Sequence, residues 1–363
     1  MELKKKRNSN IEILRIISVF LIILNHYSLY GGFSFENSLG FNSLLVGFLH
    51  VGGKLGVNIF LFISGWYLCD SEKLNIKRPF YLITEVLFYC FIFIIIGLIL
   101  GNLDIKDIIK LLLAIPFGRW EFITCYFMMI CFSYWINKLI HNINIKQFKV
   151  LIIFLLFVWC IVPTFIKADF GMSTLTWYIF IYILAAYTKN VYTKYKFSSA
   201  KYFLIGIASY LLILISEVVL KLLGLKFEIF GEHYEHFRSL NSILVLSTTV
   251  FIFLGFVKLA PRENNFVQVI ASTSLAVFII HDNIVLREFI WNNIFHTANF
   301  SDSKFLIIHA LITAITIFTF GTIVDLIRKK TFGVLEKKLF NNKLSECQNK
   351  LNDYLEKDKC EKD

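Results

Sequence analysis

Charge is what this sequence lacks. Only 17% of its 363 residues are Asp, Glu, Lys or Arg, against about 25% in a soluble globular domain. Proline is scarce as well, at 4, so little interrupts long helices. The 7 cysteines include no Cys-x-x-Cys pair and no Cys/His cluster, which argues against a disulfide framework or a zinc site. Cys69, Cys90, Cys125, Cys131 and Cys160 fall in or beside apolar runs, where free Cys behaves as a small hydrophobe, and Cys347 and Cys360 lie in a charged tail. No internal repeat of fixed period is present.

Hydrocarbon is what the chain has instead. Hydrophobic residues make up 57% of it, 39 of them Phe. Apolar runs of about 20 residues recur, the length that crosses a hydrocarbon core about 30 Å thick. Ten spans are expected, near 12–30, 44–68, 79–100, 120–138, 149–166, 174–188, 202–221, 239–257, 266–284 and 304–327. The stretch 104–117, DIKDIIKLLLAIPF, is too short to cross and reads as an interfacial or re-entrant helix. The expected fold class is therefore all-α, a polytopic membrane helical bundle. Residues 1–330 form the membrane-embedded domain and 331–363 a polar cytoplasmic tail, read as a solvated helix.

Basic residues orient the bundle. With the N-terminus inside, the inner segments before the tail hold 16 Lys and Arg, including Lys4, Lys5, Lys6, Arg7, Lys77, Arg78, Lys194 and Lys196. The outer segments hold 9, Lys167 among them, and loop 31–43 none. That asymmetry is the positive-inside pattern, with both termini cytoplasmic. It accounts for the net charge of +11 through a basic face beside anionic lipid, and no nucleic-acid partner is expected. The opening MELKKKRNSN resembles the start of a signal peptide, but no small-residue cleavage site follows, and a retained first span is expected.

That first span, EILRIISVFLIILNHYS over 12–28, carries Arg15 and His26. Eleven residues complete about three turns, so the two share a face about 16 Å apart along the axis. Glu12 lies one turn before Arg15 and is placed to pair with it. Singly, Arg15 fits a side chain snorkelling to the headgroups, and His26 fits a group solvated at the outer interface. Together on one face they fit a cavity or pathway, because ionisable groups within spans are costly and usually face one. Histidine is also the side chain suited to proton transfer near neutral pH.

The Arg15 to His26 spacing resembles the signature of the integral-membrane acyltransferase-3 family. GVNIFLFISGWYL, Gly56 to Leu68, is similar to that family's second-span run, and GGKLGV before it, with Lys54, resembles polysaccharide-modifying members. Trp120 and Tyr126 in WEFITCY resemble its fourth-span motif. VFIIHDNIVLREFIW, Val277 to Trp291, resembles its late histidine segment, and DLIR at Asp325 to Arg328 closes the last span in the same style. The likeness runs from about residue 8 to 330. Departures are Asn58 where an acidic residue is common, Glu121 after the tryptophan, and a basic motif reduced to Lys77-Arg78. The resemblance is to members without an appended extracytoplasmic hydrolase-like domain.

The resemblance implies transfer of an acyl group, expected to be acetyl from acetyl-CoA, to a hydroxyl of a cell-surface polysaccharide or its lipid-linked precursor. Acyl-CoA would be a co-substrate, with no tightly bound cofactor and no metal. Arg15, held by Glu12, would bind the donor, and His26 would be the general base or, less favourably, an acyl carrier. Asn58, Trp120, Tyr126, His281, Asp282 and Arg287 are the candidates for the acceptor side or pocket wall. Ser64 and Gly65 read as packing residues. Loop 224–238, with Glu228, Glu232, His233, Glu235 and His236, offers an HxxH that reads as solvated or as a lid. The expected partners are the bilayer, acyl-CoA and a carbohydrate, and the expected location is a bacterial plasma membrane. A flippase or polymerase of glycan assembly shares this composition but not the ordered motifs. A secondary transporter would show inverted repeats, which are not seen here.

Overall fold

Short polar side chains start many of the helices of this chain. In the computed structural model, which describes residues 7–35, 39–101, 103–166, 170–192, 197–231 and 233–360, the Asn8 side chain accepts from the Asn10 amide to open α1, Ser9–Tyr30. Helix α2 follows over Phe41–Leu68, α3 over Lys77–Leu100 and the short α4 over Ile105–Leu112. After α5, Glu121–Asn142, a reciprocal capping box of Asn144 and Gln147 opens α6, Ile145–Ile166. Ser173 with Thr176 does the same for α7, Thr174–Val191. Ser198 caps α8, Ser199–Gly224, and Ser242 caps α9, Ile243–Val257. The chain ends through α10, Asn265–Ala271, α11, Ser274–His281, α12, Leu306–Lys330, and α13, Phe332–Cys360. No strand occurs among the described residues.

Among the described residues, eight helical stretches are long and apolar enough to cross a membrane, that of α9 counted with the turns before it as His236–Val257. The other two expected spans are shorter helices within the bundle. Helix α7 has 18 residues and is rich in Tyr and Thr, yet Trp177, Phe180, Ile181 and Tyr182 on it are fully buried, so neighbouring protein rather than lipid encloses it. The stretch Asn265–His281 is interrupted where the Thr273 hydroxyl donates to the Ile270 carbonyl and meets Thr322. Helix α4, 8 residues long, is too short to cross, as its sequence implies. Lys4, Lys5, Lys6, Lys167, Lys194, Lys196 and Glu232 lie outside the described residues.

The centre of the bundle is the α1–α2 pair. A Cβ at Gly56 would stand 2.4 Å from the Ser18 carbonyl oxygen, and one at Gly53 would stand 2.3 Å from the Asn25 side chain. The GGKLGV run is thus the groove into which α1 sinks, a small-residue contact of the kind that lets membrane helices approach closely. Helices α7 and α9 pack on α2, while α10, α11 and α12 pack on α1. The tail is helical, as expected, but is docked along the start of α3 rather than solvated all round. Phe332 meets Phe88 with ring centroids 5.1 Å apart, and Phe340 meets Phe80 at 5.3 Å.

Candidate active site

Two polar regions lie at different depths along α1. The first surrounds Arg15 on the face that carries the Lys- and Arg-dense loops. Here the Glu12 carboxylate, 2% exposed, takes Arg15 Nη1 at 2.9 Å and Arg7 Nη1 at 3.5 Å. A buried carboxylate shared by two guanidiniums holds both in place. They open onto a cavity of about 460 Å³ whose wall also carries Lys77, Arg78, Ser64 and Tyr126. The pocket's carboxylate, Glu85, is already engaged, since Arg328 Nη2 lies 3.2 Å from it. Arg328 in turn donates from Nε to Asp325 at 2.7 Å, and the Tyr89 hydroxyl donates to the same carboxylate at 3.0 Å. The DLIR segment therefore ties α12 to α3 beside the pocket. Cations outnumber carboxylates there, and the Nε of Arg15 has no protein partner. Such a pocket suits a phosphate-bearing ligand.

The second region lies near the other end of α1. His26 Nδ1 is 2.9 Å from His281 Nε2, and His281 Nδ1 is 2.6 Å from the Val277 carbonyl oxygen. A carbonyl can only accept, so His281 Nδ1 carries its proton, and a neutral His281 presents a bare Nε2. His26 Nδ1 therefore donates, which leaves the lone pair of His26 on Nε2. The tautomers follow from this bonding pattern. Around the pair, Asp282 Oδ1 is 3.8 Å from His26 Nδ1 and 3.7 Å from Arg287 Nη1. Arg287 lies 4.1 Å over the Tyr30 ring and donates to the Tyr30 hydroxyl at 3.0 Å. The Trp120 indole donates to the Asp282 carbonyl at 3.0 Å, which fixes the start of α5 to the end of α11.

Aromatic rings separate the two regions. Tyr126, on the basic pocket, stacks on Phe122 at 5.9 Å, and Phe122 packs against Phe278 at 4.7 Å. Phe278 in turn lies 6.0 Å from the His26 ring and 5.8 Å from that of His281. A continuous row of packed aromatic rings thus links the basic pocket to the imidazole pair.

The family model described as Acyltransferase domain, Acyl_transf_3, matches residues 8–326. The chain belongs to the acyltransferase-3 family. Matches to curated proteins and to solved structures are absent. As a multi-pass membrane acyltransferase, it needs a place for an acyl donor and a place for proton transfer, and α1 supplies a candidate for each.

Of the residues singled out from the sequence of this acyltransferase, Arg15 and Glu12 come together at the basic pocket. His26, His281, Asp282, Arg287 and Trp120 come together at the histidine end. Tyr126 does not join Trp120. It lies six residues further along α5, about 9 Å deeper by helix rise, and its hydroxyl is 3.2 Å from that of Ser64 on the basic pocket. Asn58 is fully buried elsewhere, donating to the Leu240 carbonyl at 2.9 Å and accepting from the Trp177 indole at 3.0 Å. It clamps α2 to α7, and both ends of its amide are used. His236 of the 224–238 loop bonds the Thr164 carbonyl, and no group of three His, Cys, Asp or Glu suited to a metal occurs among the described residues.

Sequence reasoning missed Tyr30, Arg7 and the approach of Lys77 and Arg78 to Arg15. Tyr30 was legible in principle, since it follows His26 by one helical turn and so shares its face. Arg7, Lys77 and Arg78 were visible as charge at helix ends near the basic face, but their convergence on one cavity needs α1 packed on α2 and α3 set in place by α5, α11 and α13.

Proposed function

We propose that the protein transfers an acyl group, acetyl in the simplest case, from cytoplasmic acyl-CoA to a hydroxyl of a cell-surface polysaccharide or its lipid-linked precursor. The observation that carries this reading is that His26, paired with His281, lies on the same helix as Arg15 of the cation-rich pocket, with a row of packed aromatic rings between the two. The phosphates of the donor are bound by Arg15, with Arg7, Lys77 and Arg78 close by. A separation of about 16 Å along α1 is comparable to the reach of an extended pantetheine arm, which carries the thioester past Tyr126, Phe122 and Phe278 to His26.

At the histidine end, His26 Nε2 takes the proton of the acceptor hydroxyl as its oxygen attacks the thioester carbon. The carbon–sulfur bond breaks, the thiolate leaves, and the proton on His26 passes to its sulfur. His281, fixed by the Val277 carbonyl, accepts from His26 Nδ1 and stabilises the charged imidazole that forms transiently. Asp282, Arg287 and Trp120 shape the acceptor side, and Arg287 presents a cation to an anionic acceptor.

The test is the acyl content of surface glycan in a strain deleted for the gene and complemented with wild type, Arg15→Ala or His26→Ala, with membrane levels of each protein matched. Loss of O-acyl groups that wild type restores and neither variant restores supports the reading. A deletion that leaves acylation intact but shortens or abolishes the glycan points instead to a flippase or polymerase of glycan assembly.

A further inference from the structure

The loop between α2 and α3, residues 69–76, forms one wall of the basic pocket through Asn75 and leads directly into Lys77 and Arg78. It has no regular structure, so its backbone groups need partners from outside. The first half finds them in the bundle. Asn137 Nδ2 donates to the carbonyls of Leu68 and Ser71 at 2.9 and 2.8 Å, and Lys189 Nζ donates to the Trp66 carbonyl and pairs with Asp70.

The second half finds them on α13. Leu74 N donates to Asn352 Oδ1 at 2.8 Å while Asn352 Nδ2 donates back to the Leu74 carbonyl at 3.1 Å. Ile76 N donates to Gln348 Oε1 at 3.2 Å, and Lys77 Nζ donates to Asn341 Oδ1 at 3.1 Å. Below these, α13 runs antiparallel to α3 with contacts every turn: Phe340 on Phe80, Glu336 on Thr84, Phe332 on Phe88. This helix begins at Phe332, beyond the family match that ends at residue 326.

We propose that α13 is a positioning element of the donor pocket, with Asn352, Gln348 and Asn341 holding the Leu74–Arg78 wall so that Lys77 and Arg78 face the phosphates. The proposal rests on the reading of that pocket as the donor site. Asn352 satisfies both backbone groups of one residue, which fixes the loop's register as well as its distance from α13. Without it, Leu74 and Ile76 turn to water, the wall relaxes outward, and two cations leave the pocket while Arg15 stays on α1.

The experiment is calorimetric binding of coenzyme A to the purified full chain in detergent. Variants are Arg15→Ala, Asn352→Ala/Gln348→Ala, Asn341→Ala, Lys77→Ala/Arg78→Ala and the combination of the second and fourth, each with its melting temperature. The tail double variant deletes the three hydrogen bonds to Leu74 and Ile76; with the equivalent of about one of them felt at the pocket, Kd weakens about three- to tenfold, and Asn341→Ala, which leaves the loop's backbone bonds intact, is expected to weaken it about twofold. In the Lys77→Ala/Arg78→Ala background the tail substitutions are expected to have no further effect, a non-additivity that general destabilisation would not produce. Wild-type affinity in both tail variants, with weakened binding in Lys77→Ala/Arg78→Ala, would overturn the positioning role and leave the donor reading standing. Undiminished tail effects in that background would overturn it as well. Unchanged affinity in Arg15→Ala and Lys77→Ala/Arg78→Ala would overturn the donor reading and this proposal with it.

Discussion

The two ends of α1 solve opposite problems with the same helix. At the Arg15 end, charge is gathered and left open: guanidiniums share one buried carboxylate, and the cavity wall adds more cations than carboxylates. At the His26 end, polarity is closed in. Each imidazole nitrogen that faces protein has a partner, and His281 is fully buried. An open cationic pocket suits a polyanion that must come and go, whereas a closed imidazole pair suits holding one proton at one atom. Separating them by a run of aromatic rings lets each keep the environment it needs.

That contrast breaks down if either end controls the other's property. The largest effect is expected from His26→Ala, which should lower acyl transfer by about 10²–10⁴-fold while coenzyme A binds with wild-type affinity. A parallel loss of donor affinity would mean the two ends are one site. Next comes Arg15→Ala, which removes charge-assisted hydrogen bonds and should weaken coenzyme A binding about ten- to a hundredfold. Turnover at saturating donor should fall far less, and an equal fall would place Arg15 in the chemistry.

Gly56→Ala tests the scaffold that both ends share. A methyl group there meets the Ser18 carbonyl, and the overpacking should cost about 1–3 kcal/mol, read as a lower melting temperature with donor binding and transfer declining together. The smallest effect belongs to Trp120→Phe, which deletes the bond to the Asp282 carbonyl. A loss of about 0.5–1.5 kcal/mol predicts up to about tenfold slower transfer, with coenzyme A affinity unchanged. A change confined to donor affinity would move Trp120 to the wrong end of the molecule.

Much of this was legible in the residues. The apolar runs gave the helices, because a span must satisfy its backbone within itself and show hydrocarbon outside. The eleven-residue spacing placed Arg15 and His26 on one face because helical geometry is regular. Where α7 runs inside protein, the hydropathy signal faded, since a helix that does not meet lipid is free to carry Tyr and Thr. Tyr126 lines a pocket, as its sequence suggested, but the basic one rather than that of Trp120, because six residues of helix separate the two by about 9 Å of rise. The docking of α13 was hidden because its apolar residues, Phe332 and Phe340 among them, are interspersed with Lys, Glu and Asn, and only Phe88 and Phe80 opposite them reveal the stripe.

What the sequence by itself determined was one-dimensional: which stretches are helices, which face of α1 is polar, where the glycines allow close approach, and which family the motifs resemble. Each of these follows from local periodicity or composition. Only the tertiary structure decided that His26 meets His281, 255 positions away, that Lys77 and Arg78 join Arg15 on one cavity, and that α13 bonds the loop leading into Lys77. Those meetings depend on how helices distant in the chain pack against one another, and no local rule of spacing carries that information.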